Sequence, residues 1–214
     1  MRLYTYPGAP SPQRVEWLLV EKGIEMPMEK VDLTQGEHLR PEFRAKSPNA
    51  DVPTLALDDG TFISQVPAIC LYLEDRFPEP PLYGQSPEDR ARVIMWDHLG
   101  YINGFRAVAE VLRNSSRAMQ GRPLVGPHNY DQIPALVDRG RQRVRNFFND
   151  FNGRLAQSDY LAGDFFSMAD ITGYVMCNFA RWIKEQPGEE HVHLRAWQDK
   201  ISQRPAVEKV IQRR

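Results

Sequence analysis

The stretch Asn49–Ala68, NADVPTLALDDGTFISQVPA, decides the fold, because it reads as turn, strand, hairpin, strand and helix start. Val52-Pro53 opens a strand over Thr54-Leu55-Ala56-Leu57, and Asp58-Asp59-Gly60 makes a tight turn, since Asp-Gly supplies the positive φ that a hairpin needs. Thr61-Phe62-Ile63 returns, and Gln65-Val66-Pro67 launches a helix with Ile69, Tyr72, Leu73 and Phe77 as its apolar positions. Pro67 suits the first helical position, where a missing N–H costs nothing. A proline opening an internal strand cannot donate to a ladder. A cis Val52-Pro53 bond turns the backbone outward and leaves the Val52 N–H and C=O to pair with an extended peptide. Across the hairpin, the helix after Gln65 presents unpaired N–H groups, a seat for a carboxylate. Strand-edge pairing beside a carboxylate seat suits a small acidic peptide.

Outward from this stretch, the chain has 214 residues, 42% of them hydrophobic, and no run long enough to cross a membrane. That length fits one large domain or two smaller ones. A net charge of −1 points neither to nucleic acid nor to an anionic membrane surface. Met1-Arg2-Leu3-Tyr4 already reads as a strand and not as a signal peptide. Two cysteines, Cys70 and Cys177, both in helical patterns, are too few for a disulfide framework or a metal site. They read as small buried apolar residues, and a cytoplasmic setting is expected.

Before the hairpin, Leu3-Tyr4-Thr5-Tyr6 is a strand and Pro7-Gly8-Ala9-Pro10 a loop. Ser11-Pro12 reads as N-cap and first residue of a helix carrying Val15, Leu18 and Leu19 on one face, closed by Gly23. A second strand covers Met28 to Leu33, and a short helix is expected from Pro41. The order β-α-β-α-β-β-α implies a mixed sheet with helices on its faces, as in thioredoxin-like folds. Ser11 is the candidate for chemistry as well as a cap. A free thiol titrates near a pKa of about 8.5, and a hydroxyl donor at a helix N-terminus favours its thiolate. Tyr4 and Tyr6 are fallback candidates that as strand residues also suit packing.

These residues resemble the cytosolic glutathione S-transferase family, in its bacterial-type form with a serine in the first loop. Ser11-Pro12 followed by a helix is similar to the family's activating loop, and Gln65 matches the residue that, with a following serine, holds the γ-glutamyl group. Val66 stands where that serine is usual, so the resemblance implies that a helix N-terminal amide takes over, with Ser64 nearby. His38, in Gly36-Glu37-His38-Leu39-Arg40, resembles the segment that reaches the glycyl end, although a solvated loop residue is the simpler reading. Asp51 occupies a position where a basic or polar residue is common, and a carboxylate facing the glycyl carboxylate is expected to weaken or shift glutathione binding.

Past the proline-dense Pro78-Glu79-Pro80-Pro81, Ser86-Pro87-Glu88-Asp89 starts a helix with cap, proline and first-turn acids in place. Val93, Trp96, Gly100, Phe105, Val108 and Leu112 continue it to about Asn114. A loop over Gly121–Asn129 precedes a helix with the stripe Val144, Phe147, Phe148, Phe151, Leu155. That helix's far side (Arg139, Arg141, Arg143, Arg145) reads as a solvated basic face. Ser167-Met168-Ala169-Asp170 is a capping-box arrangement. With Tyr160-Leu161-Ala162-Gly163-Asp164 before it, it resembles the family's C-terminal signature, in which the acid serves the fold.

The expected architecture is a thioredoxin-like glutathione-binding domain over residues 1–78, a linker over 79–85 and an all-helical domain over 86–214. The implied reaction is attack of glutathione thiolate, as co-substrate, on a small hydrophobic electrophile, a detoxification chemistry that needs no metal. Ser11 would activate the thiol, and Val52-Pro53, Gln65, Val66 and His38 would bind the peptide. Phe105, Val108 and Leu112 would line the electrophile's side of a cleft between the domains, unless that stripe is core. A homodimer is implied by resemblance. An isomerase, a dehalogenase or a non-catalytic binding module on the same fold would share these features. A disulfide reductase would not, because no cysteine lies in the first loop.

Overall fold

In the computed structural model, which describes residues 1–211, four short strands form one mixed sheet in the order β2-β1-β3-β4. They are β1 (Arg2–Thr5), β2 (Met28–Lys30), β3 (Thr54–Ala56) and β4 (Phe62–Ser64). Strand β1 runs parallel to β2 and antiparallel to β3, and β3 runs antiparallel to β4. The thioredoxin-like arrangement expected from the element order is therefore present. Leu3 and Leu55, both fully buried, face helices α1 (Pro10–Glu21) and α3 (Val66–Arg76), which bring Val15, Leu18, Leu19, Ile69 and Leu73 to the core. The other sheet face packs Tyr4, Val31, Phe43 and Val52 under the short helix α2 (Pro41–Arg44).

Local boundaries depart from the sequence reading for identifiable reasons. Helix α1 begins at Pro10, with Ala9 as its cap and the Ala9 carbonyl accepting from Gln13 N–H at 3.1 Å. Pro10 has the fixed φ of a first helical residue and no N–H to satisfy, so Ser11 sits inside the first turn and not at the cap. Strand β2 stops at Lys30, short of Leu33, where Asp32 folds the chain. Its carboxylate accepts from Thr34 N–H at 2.9 Å and from Thr34 Oγ1 at 2.6 Å. Helix α3 takes Val66, not Pro67, as its first residue. In the hairpin only Gly60, at φ 87°, adopts the left-handed region.

The ends of α1 and α3 are joined by a buried charge. Lys22, the C-cap of α1, places its ammonium 2.7 Å from Glu74 Oε2 in the last turns of α3. The same ammonium donates to the carbonyls of Phe77 and Pro80, at 2.7 Å each. The two carbonyls take ammonium protons and the Glu74 carboxylate supplies the counter-charge.

By contacts the chain divides into two units. The first contains Met1–Pro80 and Val125–His128 with the residues from Glu208, and the second Pro81–Leu124 and Asn129–Val207. In the second unit, α4 (Pro87–Leu99), a π-helical segment (Gly100–Phe105) and α5 (Arg106–Ser115) run on as one continuous helical stretch. Its start is capped by Ser86, whose Oγ accepts from Asp89 N–H at 3.0 Å. Helices α6 (Ala135–Leu155) and α7 (Met168–Ala180) approach it closely at glycines. A Cβ on Gly104 would lie 2.7 Å from Met176, and one on Gly140 would lie 2.7 Å from Val111. The α6 stripe Val144, Phe147, Phe148, Phe151, Leu155 is buried, as its periodicity predicts. Its basic side is not merely solvated. Arg139 and Arg143 pair with Glu110 at 3.0 and 3.2 Å, and Arg141 and Arg145 pair with Glu185 at 3.0 and 3.1 Å.

Helix α7 starts at the predicted capping box. The Asp170 carboxylate accepts from Ser167 N–H, Leu161 N–H and Trp197 Nε1–H at 3.0 Å each, and from Ser167 Oγ at 2.9 Å. Burial pushes its pKa up to about 6 despite those donors. Trp197 belongs to α8 (Val192–Ser202), so one carboxylate ties three segments together. Both cysteines are buried, and burial pushes the Cys177 thiol up to about 12. No helix among the described residues is long and apolar enough to cross a membrane.

Candidate functional site

Strand register gathers the candidate peptide-binding residues at one end of the sheet. Tyr4 stands opposite Thr54, and Thr54 opposite Ser64, while Thr5 is level with Lys30 on the parallel strand. The chain therefore leaves β1 toward Ser11, enters β3 through Val52-Pro53, leaves β4 into Gln65-Val66 and leaves β2 toward His38, all at that same end. Sheet topology alone produces this convergence.

Ser11 is half-buried in the first turn of α1, and among the described residues its hydroxyl has no intrachain hydrogen-bond partner. An unengaged hydroxyl beside the N–H groups of a helix start can donate to an anion. Val52-Pro53 is cis, as its place at the strand start suggested. The Val52 side chain is buried in the Tyr4 and Phe43 cluster, and its N–H and C=O accept or donate no bond among the described residues. Gln65 caps α3 with φ 74° and ψ 125°, a left-handed-side conformation rare for a side-chain-bearing residue. Val66 follows as first helical residue, its side chain buried and its N–H outside the helical ladder.

Asp51 is engaged by its own neighbours. Its carboxylate accepts from Ser47 Oγ at 2.8 Å, from Asn49 Nδ2 at 2.7 Å and from Gln65 Nε2 at 2.7 Å. It is a hub that orients Gln65, turned toward the α3 start, with its charge spread over three donors. The bland sequence signal was Asp at a loop position. Nothing local in the sequence pairs it with a residue 14 positions on.

The remaining candidates lie in different settings. His38 is half-buried in a short 3-10 turn over Glu37–Leu39. The Tyr4 hydroxyl, a fallback for chemistry, accepts from Lys46 Nζ at 3.0 Å in a cavity of about 260 Å³ under α2. It is a packed, engaged group. In the helical unit Val108 is fully buried and Phe105 is 8% exposed, its ring 5.1 Å from that of Phe179. Both are core residues, so the stripe expected to face an electrophile packs inside the unit. Leu112 is half-buried. Sequence reasoning also missed the segment Val125–His128, which joins the sheet-bearing unit. There Gly126, at φ 133°, approaches Asn49 so closely that a Cβ would lie 3.2 Å from Asn49 Oδ1.

Comparison with known proteins identifies relatives of the whole chain. Residues 3–81 match the family model "Glutathione S-transferase, N-terminal domain", and residues 109–205 match "Glutathione S-transferase, C-terminal domain". The chain is 33% identical over 215 residues to glutathione S-transferase 2 of Saccharomyces cerevisiae, covering 99% of this chain and 90% of that one. A crystal structure of a glutathione S-transferase domain-containing protein from Marinobacter aquaeolei superimposes with a TM-score of 0.89 at 35% identity, covering 97% of this chain and all of that one. A 94-residue portion, 43% of this chain and 44% of the relative, is 42% identical to maleylacetoacetate isomerase of Pseudomonas aeruginosa. With matched models at both ends and full-length relatives, the chain belongs to the glutathione S-transferase family of enzymes.

Proposed function

We propose that this chain transfers the glutathione thiolate to a small apolar electrophile. The carrying observation is the Ser11 hydroxyl, unengaged among the described residues, in a helix start at the sheet end shared with Val52 and Gln65. Ser11 donates to the thiolate and lowers the thiol pKa of bound glutathione. The Val52 N–H and C=O pair with the peptide backbone beside Pro53. Gln65, oriented by Asp51, and the Val66 amide hold the γ-glutamyl end, while His38 serves the glycyl end. Residues 1–78 carry these contacts, 79–85 act as linker, and the electrophile's contacts belong to 86–214, with Leu112 the surviving member of the apolar set. The reaction needs no metal.

The test is the ultraviolet thiolate absorbance of enzyme-bound glutathione against pH. The wild type should show a thiol titrating well below the free value, and Ser11→Ala should return it toward about 8.5. An identical titration in the two proteins removes Ser11 from this role.

A second reading, glutathione-dependent isomerisation, is favoured by the local identity to maleylacetoacetate isomerase. The same thiolate would add and leave again, so product would form without glutathione consumption. We place the protein in the cytoplasm and read it as a homodimer. Ile94, Met95 and Ile102 are 43%, 47% and 42% exposed on one side of the α4 stretch, apolar surface that a second copy would cover. Light scattering on the purified chain decides its mass.

A further inference from the structure

A cavity of about 510 Å³ lies in the helical unit between the last turn of α6 and the loop that leads back to α7, a volume in the range that holds small molecules. Arg154 supplies the α6 wall, Gln157, Asp159, Asp164 and Phe165 the loop, and Arg92 the α4 wall. The turn before α4 fixes the floor. A Cβ on Gly84 would lie 3.1 Å from Phe165 Cζ and against Asp89, the acid that pairs with Arg92.

Two of the charged groups lining the cavity are neutralised within the chain. Arg92 pairs with Asp89, and Asp159 lies 3.5 Å from Lys200 Nζ. Two are not. Among the described residues the Asp164 carboxylate has no hydrogen-bond or ion-pair partner, and the Nη groups of Arg154 have no acceptor. Arg154 and Asp164 thus share one cavity without pairing to each other. The Gln157 side-chain amide, likewise without a partner among the described residues, adds an acceptor and two donors.

Arg154 is nonetheless held in place. Its Nε donates to the Leu161 carbonyl at 2.9 Å, and its guanidinium carbon lies 5.2 Å from the centre of the Trp96 ring. Leu161 is itself fully buried, with its N–H donating to Asp170. A guanidinium anchored through Nε and through one face keeps the Nη1–Nη2 edge of its fork for a carboxylate, with little ordering left to do on binding.

We propose that this cavity binds a small zwitterion of the amino-acid class, its carboxylate on the Arg154 fork, its ammonium on Asp164 and its apolar side chain against Phe165. A ligand with a single charge leaves one of the two groups unmet, and a zwitterion meets both. The site lies wholly within the helical unit and does not rest on the transferase reading.

The experiment titrates the full chain with three ligands that differ by one charge: L-phenylalanine, 3-phenylpropanoate, which lacks the ammonium, and 2-phenylethylamine, which lacks the carboxylate. Calorimetry at neutral pH reads their dissociation constants. The wild type should bind the amino acid about tenfold or more tighter than either analogue, the worth of one charge-assisted hydrogen bond. Asp164→Asn should remove the preference over the acid and keep the preference over the amine, and Arg154→Gln should do the reverse. Asp164 is exposed and unpartnered among the described residues, so its variant keeps the fold and a lost preference there is not unfolding. Gln65→Ala, in the sheet-bearing unit, should change none of the three constants. No binding of the amino acid at millimolar concentration, an acid or amine that binds as tightly as the amino acid, or a preference over the acid that survives Asp164→Asn overturns the site. Weakened amino-acid binding in Gln65→Ala would put the ligand on the peptide-binding residues and overturn it as well.

Discussion

The Lys22 ammonium lies 2.7 Å from Glu74 with the two side chains 0% and 7% exposed, and this pair couples the far ends of the two helices that begin at the candidate site. Ser11 opens α1 and Val66 opens α3. A lock between their last turns sets how the first turns are held.

Removing one partner leaves the other charge buried. Lys22→Met should destabilise the fold by about 3–5 kcal/mol, read as the urea midpoint at constant slope. The double variant Lys22→Met with Glu74→Leu should recover much of the loss, because two apolar groups leave no uncompensated charge. A double variant as unstable as the single one refutes the coupling.

Ser11→Ala separates chemistry from fold. The hydroxyl has no partner within the described chain, so thermal stability should stay within about 0.5 kcal/mol of wild type. Conjugation should drop roughly a hundredfold if that donor meets developing or existing negative charge. A folded mutant with full kcat/KM removes Ser11 from the mechanism.

Gln65 combines a strained backbone with a bond to Asp51. At φ 74° a side chain costs on the order of 1 kcal/mol that glycine does not. Gln65→Gly relieves that strain but also removes the donor to Asp51, so it should leave the melting temperature near the wild-type value and raise the KM for glutathione. Asp51→Asn, which sets an amide among three donors, should also raise that KM, and should lower stability more than Gln65→Gly does. A Gln65→Gly variant less stable than Asp51→Asn would contradict the geometry.

Asp170 supplies a pH signature. Its folded pKa of about 6 exceeds the ordinary 3.8, so between those values the folded state holds more proton than the unfolded one. Its contribution is therefore fully present below about pH 4 and is lost as pH rises through 6. Ser167 Oγ is the one partner able to accept the added proton, because the other three are N–H groups. Asp170→Asn should cost about 1–3 kcal/mol by setting a donor against donors. The stability gap between wild type and variant should shrink from pH 4 to pH 7. A gap that widens over that range would mean that the four donors, and not burial, set the carboxyl's state.

What could be read from the sequence was what is local in it. The cis Val52-Pro53, the hairpin turn at Gly60, the Ser86 cap and the Ser167–Asp170 box each depend on residues within a few positions. Periodicity placed the α6 stripe correctly. It could not tell whether Val108 faces a ligand or a neighbouring helix, because both need an apolar side chain. The Asp51–Gln65 bond, the Lys22–Glu74 pair and the arginines shared between Glu110 and Glu185 join residues 14 to 52 positions apart. Such pairs carry no spacing rule, and only the folded topology brings them into contact. The helix start at Pro10 was missed because two prolines, Pro10 and Pro12, compete for the same first-turn role.

The burial of both thiols bears on the protein's own survival. Cys70 and Cys177 are 0% and 1% exposed, and the raised pKa of Cys177 leaves almost no thiolate at neutral pH. A catalyst that concentrates soft electrophiles beside a nucleophilic sulfur is a bystander target for the same compounds. Here that hazard is absent by construction. Native protein held with excess electrophile and no glutathione should keep its mass, and thiol reagents should count two sulfurs only after denaturation.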